Sequence, residues 1–459
     1  MCAKDKLWLK KSAQRFSEFS NRFADLFVSG RHKVFEQSKA YLCGLMQAPN
    51  LKRNIERMEE SVKDFSYERQ QRFISESTWS HEEVYSAIAS SANTHFAGHQ
   101  DACLLLDESC FAKKGNKSAG VSRQWNGRLG KVDNCQVGVF SALNCQDQVL
   151  PIGAKLYLPE EWTQDLERCE AAKVPVESQV FKTKHDLALE LIDQHISQGI
   201  RFNWVGADSF YGKNPAFLRD LDARNLTFMM DVNANQHIYL DDPLPKIPTY
   251  SGRGPKPKHK KTTVDSIRID KLVNKQKNSK WSIVEIRNSS KGVLKVEALK
   301  MAVWLWDGKE ESRHQWQLIV TRDPKTKKDI KYSLTNAIRE TPLSRIAFMQ
   351  RQRYWIENSF EVAKSICGLA DYQVRSWIGW HHHVAMVLLS MLFLFEEKKN
   401  APDKCDLLTA NDVREMLMMF LPQRKTDPDE VFRQLETRHR KRKNAMRSSR
   451  DMQNLEKYG

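Results

Sequence analysis

The sequence predicts a mixed α/β core flanked by helical segments at both ends, and three observations carry that prediction. Residues 1 to about 95 show apolar positions recurring at three and four, as in Phe16, Phe19, Phe23 and Phe27, which is the spacing of one helix face. From Ala102 onward, short apolar runs alternate with helical periodicity, the pattern of a sheet built with crossover helices. From about Leu343 the helical texture returns and continues to the end.

Each element follows from its own residues. Cys103–Leu106 is an apolar strand closed by Asp107, and a Gly/Lys/Asn-rich stretch runs from Lys113 to Gly130. Gly115, Gly120, Gly127 and Gly130 do not precede a helix, so they are hairpin turn residues rather than a phosphate-binding loop. Cys135–Leu143 and Val149–Leu158 are strands, and Thr183–Gln198 is a helix with Leu187, Leu191 and Ile192 on its apolar face. Residues 202–207 lead as a strand into Asp208, Pro215–Arg224 is a helix with Pro in its first turn, and Leu226–Val232 is a further strand. Residues 281–333 are strand-like and follow a loop, Tyr250–Lys261, that holds Arg253, Lys256, Lys258, Lys260 and Lys261 without an acid. The run 438–450 carries seven Lys/Arg, Arg440, Lys441 and Arg442 among them, and is expected to be a solvated basic tail.

Composition narrows the function classes. The chain has 459 residues with 73 Lys+Arg against 57 Asp+Glu, a formal charge of +16, so a polyanionic partner is expected. With 41% hydrophobic and 10% aromatic residues it can build a sizeable core. The longest apolar run, Val384–Phe395, is shorter than the ~20 residues a spanning helix needs, so it is expected to be a buried helix and no membrane association is expected. The amino-terminal residues lack an apolar signal region. Nine scattered cysteines without a C-x-x-C pair argue for a reducing compartment. The cytosol of a cell that keeps its DNA there is the expected setting.

Three acids stand out: Asp107 and Asp208 at strand ends, and Glu357 on a helix entered through Arg351-Gln352-Arg353-Tyr354-Trp355. Any one of them suits a turn or a surface. Together they would make an oxygen-only site for Mg²⁺ or Mn²⁺, and two such ions can drive an in-line displacement at phosphorus. No Ser/His/Asp or Cys/His set competes with them. Adjacent His381, His382 and His383 cannot all face one ion from a helix, so structural or DNA-facing roles are expected. Trp377 and Trp380 are expected to pack that helix, with base stacking as the alternative.

Several ordered blocks resemble the DDE transposases of bacterial insertion sequences, closest to the group numbered seven hundred and one. They are LLLDESCFAKKGNKSAGVSRQWNGRLGKVDNCQVGV around Asp107, then LYLPEEWTQD, then WVGADSFYGKNPAFLRDL around Asp208, and RYWIENSFEVAKSICGLADYQVRSWIGWHHHV around Glu357. FISESTW, at 73–79, resembles the segment ahead of the catalytic domain. The family signature Y-x2-R-x3-E-x6-K is met by Arg353, Glu357 and Lys364, whereas Gln350 stands in the tyrosine position. The resemblance covers about residues 65–395 and implies a ribonuclease-H-like mixed-sheet catalytic core interrupted by a β-rich insert. It divides the chain into a helical DNA-binding domain (1–95), the first part of the core (96–235), the insert with its basic loop (236–340), the completion of the core with the glutamate helix (341–400) and a helical C-terminus with a basic tail (401–459).

By the same resemblance, Asp107, Asp208 and Glu357 would be catalytic and hold two Mg²⁺ or Mn²⁺ ions, and Arg353 and Lys364 would contact DNA near the scissile phosphate. The basic segments, with Arg253, Lys256, Lys258, Arg440, Lys441 and Arg442, are further candidates for phosphate contact. The implied partners are the terminal inverted repeats and target DNA, both double-stranded, with a homodimer assembled on the DNA ends. A metal-dependent nuclease without strand transfer, and a non-catalytic DNA-binding regulator, stay open as alternatives.

Overall fold

A computed structural model describes residues 3–458, save for 128, 290–291, 309–312 and 406. The chain forms two compact units, one of residues 81–362 and 375–377, the other of residues 1–80, 363–374 and 378–459. Elements of the larger unit are numbered here along the chain.

The larger unit is built on one mixed sheet of ten strands: β1 Ala102–Ala112, β2 Ser122–Asn126, β3 Lys131–Cys145, β4 Gln148–Leu156, β5 Val205–Ala207, β6 Phe228–Asp231, β7 Ser282–Ser289, β8 Gly292–Leu305, β9 His314–Arg322 and β10 Lys331–Thr335. The order across it is β7-β8-β9-β10-β6-β5-β1-β3-β2, with β4 also paired to β3. β1, β3 and β4 form an antiparallel meander. β5 runs parallel to β1, and β6 parallel to β5. Ala102–Leu106 of β1 is buried at every position, as expected of a central strand covered on both faces. The cover includes helices α1 (His81–Phe96) and α2 (Lys184–Ser197), packed on β3 and β4, and α4 (Leu343–Gln352), packed on strands from β5 to β9. α2 starts at a capping box, with Thr183 and Asp186 each bonding the other's backbone N–H. α3 (Pro215–Ala223) has Pro at its first position behind an Asn214 cap, and α5 (Tyr354–Ser365) follows α4.

Four expectations need correction. Asp107 does not close its strand: β1 continues to Ala112, because it pairs with β3 over its whole length. The Lys113–Gly130 stretch contains a strand, β2, which turns into β3 through residues that include Gly130 at φ +62°, a conformation glycine adopts without penalty. The strands of 236–340 are not a separate layer. β10 pairs antiparallel with β6, so the insert extends the core sheet from its edge. Finally, α1 packs on the sheet of the larger unit rather than closing the amino-terminal helical segment.

The smaller unit is mainly helical and joins both ends of the chain. Helix Ala410–Phe420 packs on Ser12–Asn21 and Phe35–Gln47, and buried Arg414 donates from Nε to the Met46 carbonyl at 2.7 Å. Helix Trp377–Lys399 is long and apolar enough to cross a membrane, yet 89% of its most apolar stretch is buried in protein, the environment of a core helix. Its histidines explain themselves by packing. His382 stacks on Trp79 with centroids 3.7 Å apart, and its two ring nitrogens each lie 2.9 Å from a carbonyl, of Ile74 and of Trp79. Burial pushes its pKa down to about 4 although both carbonyls favour the proton, so at neutral pH one nitrogen donates. His383 Nδ1 is 2.9 Å from the Tyr41 hydroxyl. The run 438–450, expected as a tail, lies within helix Pro428–Tyr458.

Candidate active site

Strand register brings the aspartates together. Leu106 of β1 stands beside Ala207 of β5, and Ala207 stands beside Met230 of β6. The next residue along each chain is an aspartate: Asp107, Asp208 and Asp231. Parallel neighbours lie about 4.8 Å apart, so in-register strands set three carboxylates in a row across the sheet. Two of the three were legible as strand-end acids. Asp231 was missed, although FMMD repeats the pattern of LLLD, an apolar run stopped by Asp.

Backbone fixes the first two. Asp107 Oδ1 accepts the Glu108 N–H at 2.7 Å. Asp208 caps the short helix Ser209–Gly212, its Oδ1 accepting the Phe210 N–H at 2.9 Å. That helix lies close against β6, and a Cβ at Gly212 would run into the Asp231 carbonyl. Gly212→Ala is therefore expected to displace the turn that holds Asp208. The thermal midpoint should fall by several degrees, since overpacking costs ~1–3 kcal/mol, which a melting curve checks.

The electrostatics of the row favour a bound cation. Burial raises the Asp107 pKa well above the usual carboxylate range, the Asp208 charge raises it further, and the Arg353 guanidinium pulls it back. Burial also raises Asp208, against the Phe210 N–H that lowers it. Buried neighbouring carboxylates resist ionising together, and hard oxygens of this kind fit Mg²⁺ or Mn²⁺. Among the described residues no three His, Cys, Asp or Glu side chains are gathered so as to hold an ion as they stand. Glu357 is drawn onto Arg353, with Nη1 to Oε1 at 2.6 Å.

Arg353 occupies the centre. Its Nε donates to Asp231 Oδ2 at 2.9 Å, and Nη1 lies 4.0 Å from Asp107 Oδ2. Burial alone would lower its pKa, but the charges of Asp231, Glu357 and Asp107 prevail and raise it. Arg353, expected at a DNA phosphate, is 17% exposed and is held among carboxylates. Glu357, in the first turn of α5, is 50% exposed and is reached by Arg353 from four residues before. Ile356, Phe360, Ala363 and Cys367 form a buried apolar stripe along this stretch. Glu361 is exposed, and Lys364 is half-buried seven residues beyond Glu357 on the same helix.

The basic candidates lie elsewhere. Arg253, Lys256 and Lys258 are exposed on a loop whose base is closed by paired backbone bonds between Lys246 and Lys261, 2.9 and 2.8 Å. Arg440 and Arg442 are exposed on the last helix. Lys441 is turned back onto its own unit, 3.7 Å from the Tyr67 ring centroid and 3.8 Å from Glu59.

The mixed sheet thus carries a row of three carboxylates, one within β1 and the others at the ends of β5 and β6. Comparison with known proteins defines it further. The sequence profile described as DDE superfamily endonuclease matches residues 22–293, and the chain belongs to that family. Asp107, Asp208 and Asp231 fall within the match, and Glu357 beyond it. The chain is also similar to a protein from Microchaete diplosiphon named "Probable transposase for insertion sequence element IS701", with 32% identity over 143 residues. That similarity spans 30% of this chain and 33% of the relative's length.

Proposed function

We propose that this protein is the transposase of an insertion sequence, cleaving DNA at the element ends and joining the freed 3′-OH to target DNA. The observation that carries the proposal is the row of register-matched aspartates with the Arg353–Glu357 pair beside it, in a chain of the DDE endonuclease family. Asp107, Asp208 and Glu357 are the residues that would hold two Mg²⁺ or Mn²⁺ ions. When bound, such ions activate the attacking oxygen and stabilise the leaving one. The rest is done by the chain. Asp107 and Asp208 present their carboxylates from strand backbone and a helix cap, so little side-chain freedom remains to be lost. Arg353 balances the acidic row and tethers Glu357. Lys364, the 253–258 loop and the arginines of the last helix are assigned to DNA phosphates, and recognition of the terminal inverted repeats to the smaller, helical unit. A homodimer on paired DNA ends fits a reaction that handles two ends together.

The test uses the purified protein with duplexes taken from the DNA flanking its reading frame, intact and precut. Divalent-ion-dependent nicking at an inverted repeat, and joining of the precut end to a second duplex, support the proposal. Nicking without joining would make it a nuclease, and end binding with neither a regulator. Affinity should also fall steeply with salt, at about −0.9 in log–log slope for each phosphate neutralised. Replacing Arg253, Lys256 and Lys258 together by Gln should flatten that slope by up to about 2.7 if all three touch phosphate. An unchanged slope in a binding titration would remove the loop from the interface.

A further inference from the structure

We infer that Asp231 is the positioning residue for Arg353, at the end of a polar chain supplied by the insert and by Gln350. The inference rests on the proposed endonuclease site and extends it to residues which neither the family signature nor strand-end spacing had marked.

The chain can be followed atom by atom. Thr321, on β9, has its Oγ1 2.5 Å from Gln350 Oε1. Gln350 Nε2 donates to Ser333 Oγ at 2.8 Å. The Ser333 hydroxyl donates to Asp231 Oδ1 at 2.6 Å. Asp231 Oδ2 accepts Arg353 Nε at 2.9 Å, and Arg353 Nη1 holds Glu357 at 2.6 Å. Both hydroxyl protons are committed, that of Thr321 to Gln350 Oε1 and that of Ser333 to Asp231 Oδ1. The Gln350 amide uses its oxygen toward one hydroxyl and its nitrogen toward the other, so both Thr321 and Ser333 are oriented, and the Ser333 proton is committed to Asp231. Register enforces the last link, because Ser333 is the cross-strand partner of Asp231 in the β10–β6 pair.

Burial makes the chain demanding. Gln350 is 2% exposed, and Thr321 and Ser333 are 0% exposed. Buried polar groups must be paired or they cost stability, so such a chain specifies one arrangement. Gln350 therefore has a task in the place where the family signature has tyrosine. Its two-headed amide joins two strands of the insert, which a single hydroxyl on a rigid ring could not do in the same way. The result is that Asp231 presents one oxygen in a fixed direction and locks the Arg353 fork. Asp231 stands in the row with Asp107 and Asp208, but both of its oxygens accept side-chain hydrogen bonds, one from a hydroxyl and one from a guanidinium. That pairing assigns it to holding Arg353.

The test compares full-length Asp231→Asn, Arg353→Ala and the double variant. Three quantities are followed: cleavage of end DNA, Mn²⁺ affinity without DNA, and the Nε–H signal of Arg353 in ¹⁵N-arginine-labelled protein. Asp231→Asn is expected to slow cleavage at least tenfold, within the about 10–100-fold typical of residues that orient a site. It should leave Mn²⁺ affinity within about threefold of wild type, well below that range, and should shift or broaden the Arg353 signal. The double variant should be no slower than Arg353→Ala alone, since both changes remove one interaction. A loss of Mn²⁺ affinity of tenfold or more would make Asp231 an ion ligand and overturn the inference. So would multiplying losses in the double variant, or an unchanged Arg353 signal. If Asp231→Asn does not fold, Ser333→Ala keeps the carboxylate and is put through the same cycle with the same expected non-additivity. A wild-type protein that cleaves no end DNA would overturn the endonuclease reading instead, and the Arg353 signal would still decide the positioning.

Discussion

Asp107→Asn and Asp208→Asn are each expected to reduce cleavage of end DNA by at least ~1000-fold, about 4 kcal/mol of barrier, in Mg²⁺ and in Mn²⁺. Both side chains are held by backbone N–H groups, of Glu108 on β1 and of Phe210 in the short helix after β5, so the amide replaces the carboxylate with little change of shape. What is lost is a hard anionic donor at a point where no neighbour can replace it. DNA binding, carried by basic surfaces elsewhere, should stay within about threefold, a difference under 1 kcal/mol. Equal loss of binding and cleavage would mean a structural role.

A melting experiment gives an independent check on Asp107. Burial raises its folded pKa above the unfolded value. The stability this confers is fully present below the unfolded pKa and is lost as pH rises through the folded pKa. In a chelator at neutral pH, Asp107→Asn should therefore melt no lower than the wild type, and higher relative to it than at pH 4.

The second large effect separates two glutamates one turn apart. Glu357→Gln is expected to remove cleavage by a similar factor of at least ~1000, whereas Glu361→Gln keeps at least a tenth, a bound of roughly 1.4 kcal/mol. Both positions are exposed on α5, so exposure does not distinguish them. The difference is the partner: Glu357 is held by Arg353, which reaches Asp231 and approaches Asp107. Kinetics in both metals decide, and the reverse pattern would show that the acidic row draws its third ligand from elsewhere on the helix.

Much of the sheet was legible because its central strands are apolar, largely buried runs bounded by turn residues. LLLD and VGAD announce themselves by apolar residues stopped by a charge. Helices with strong caps, Thr183 and Pro215, fell where expected. The pairing of β10 with β6 was not legible, since register between segments a hundred residues apart leaves no local mark. For the same reason Asp231 passed as an ordinary strand residue, and Gln350 as a gap in a signature. The helix of Glu357 was legible, but its pairing with Arg353 was not. Periodicity reports which face is apolar, not which neighbouring arginine will pull a carboxylate aside. The last basic run looked like a tail because its charges outnumber its apolar residues, yet Arg438 is paired with Glu60 at 2.6 Å.

The joining of the insert to the core has a consequence for anyone shortening this protein. Because β10 completes the edge of β6, a version trimmed of residues 236–340 would not be a minimal nuclease. It would carry a bare strand edge, which invites self-association, and an Asp231 stripped of the serine beside it. The segment that looks most dispensable along the chain is thus part of the sheet that carries the acidic row, and dissection of the protein has to keep it.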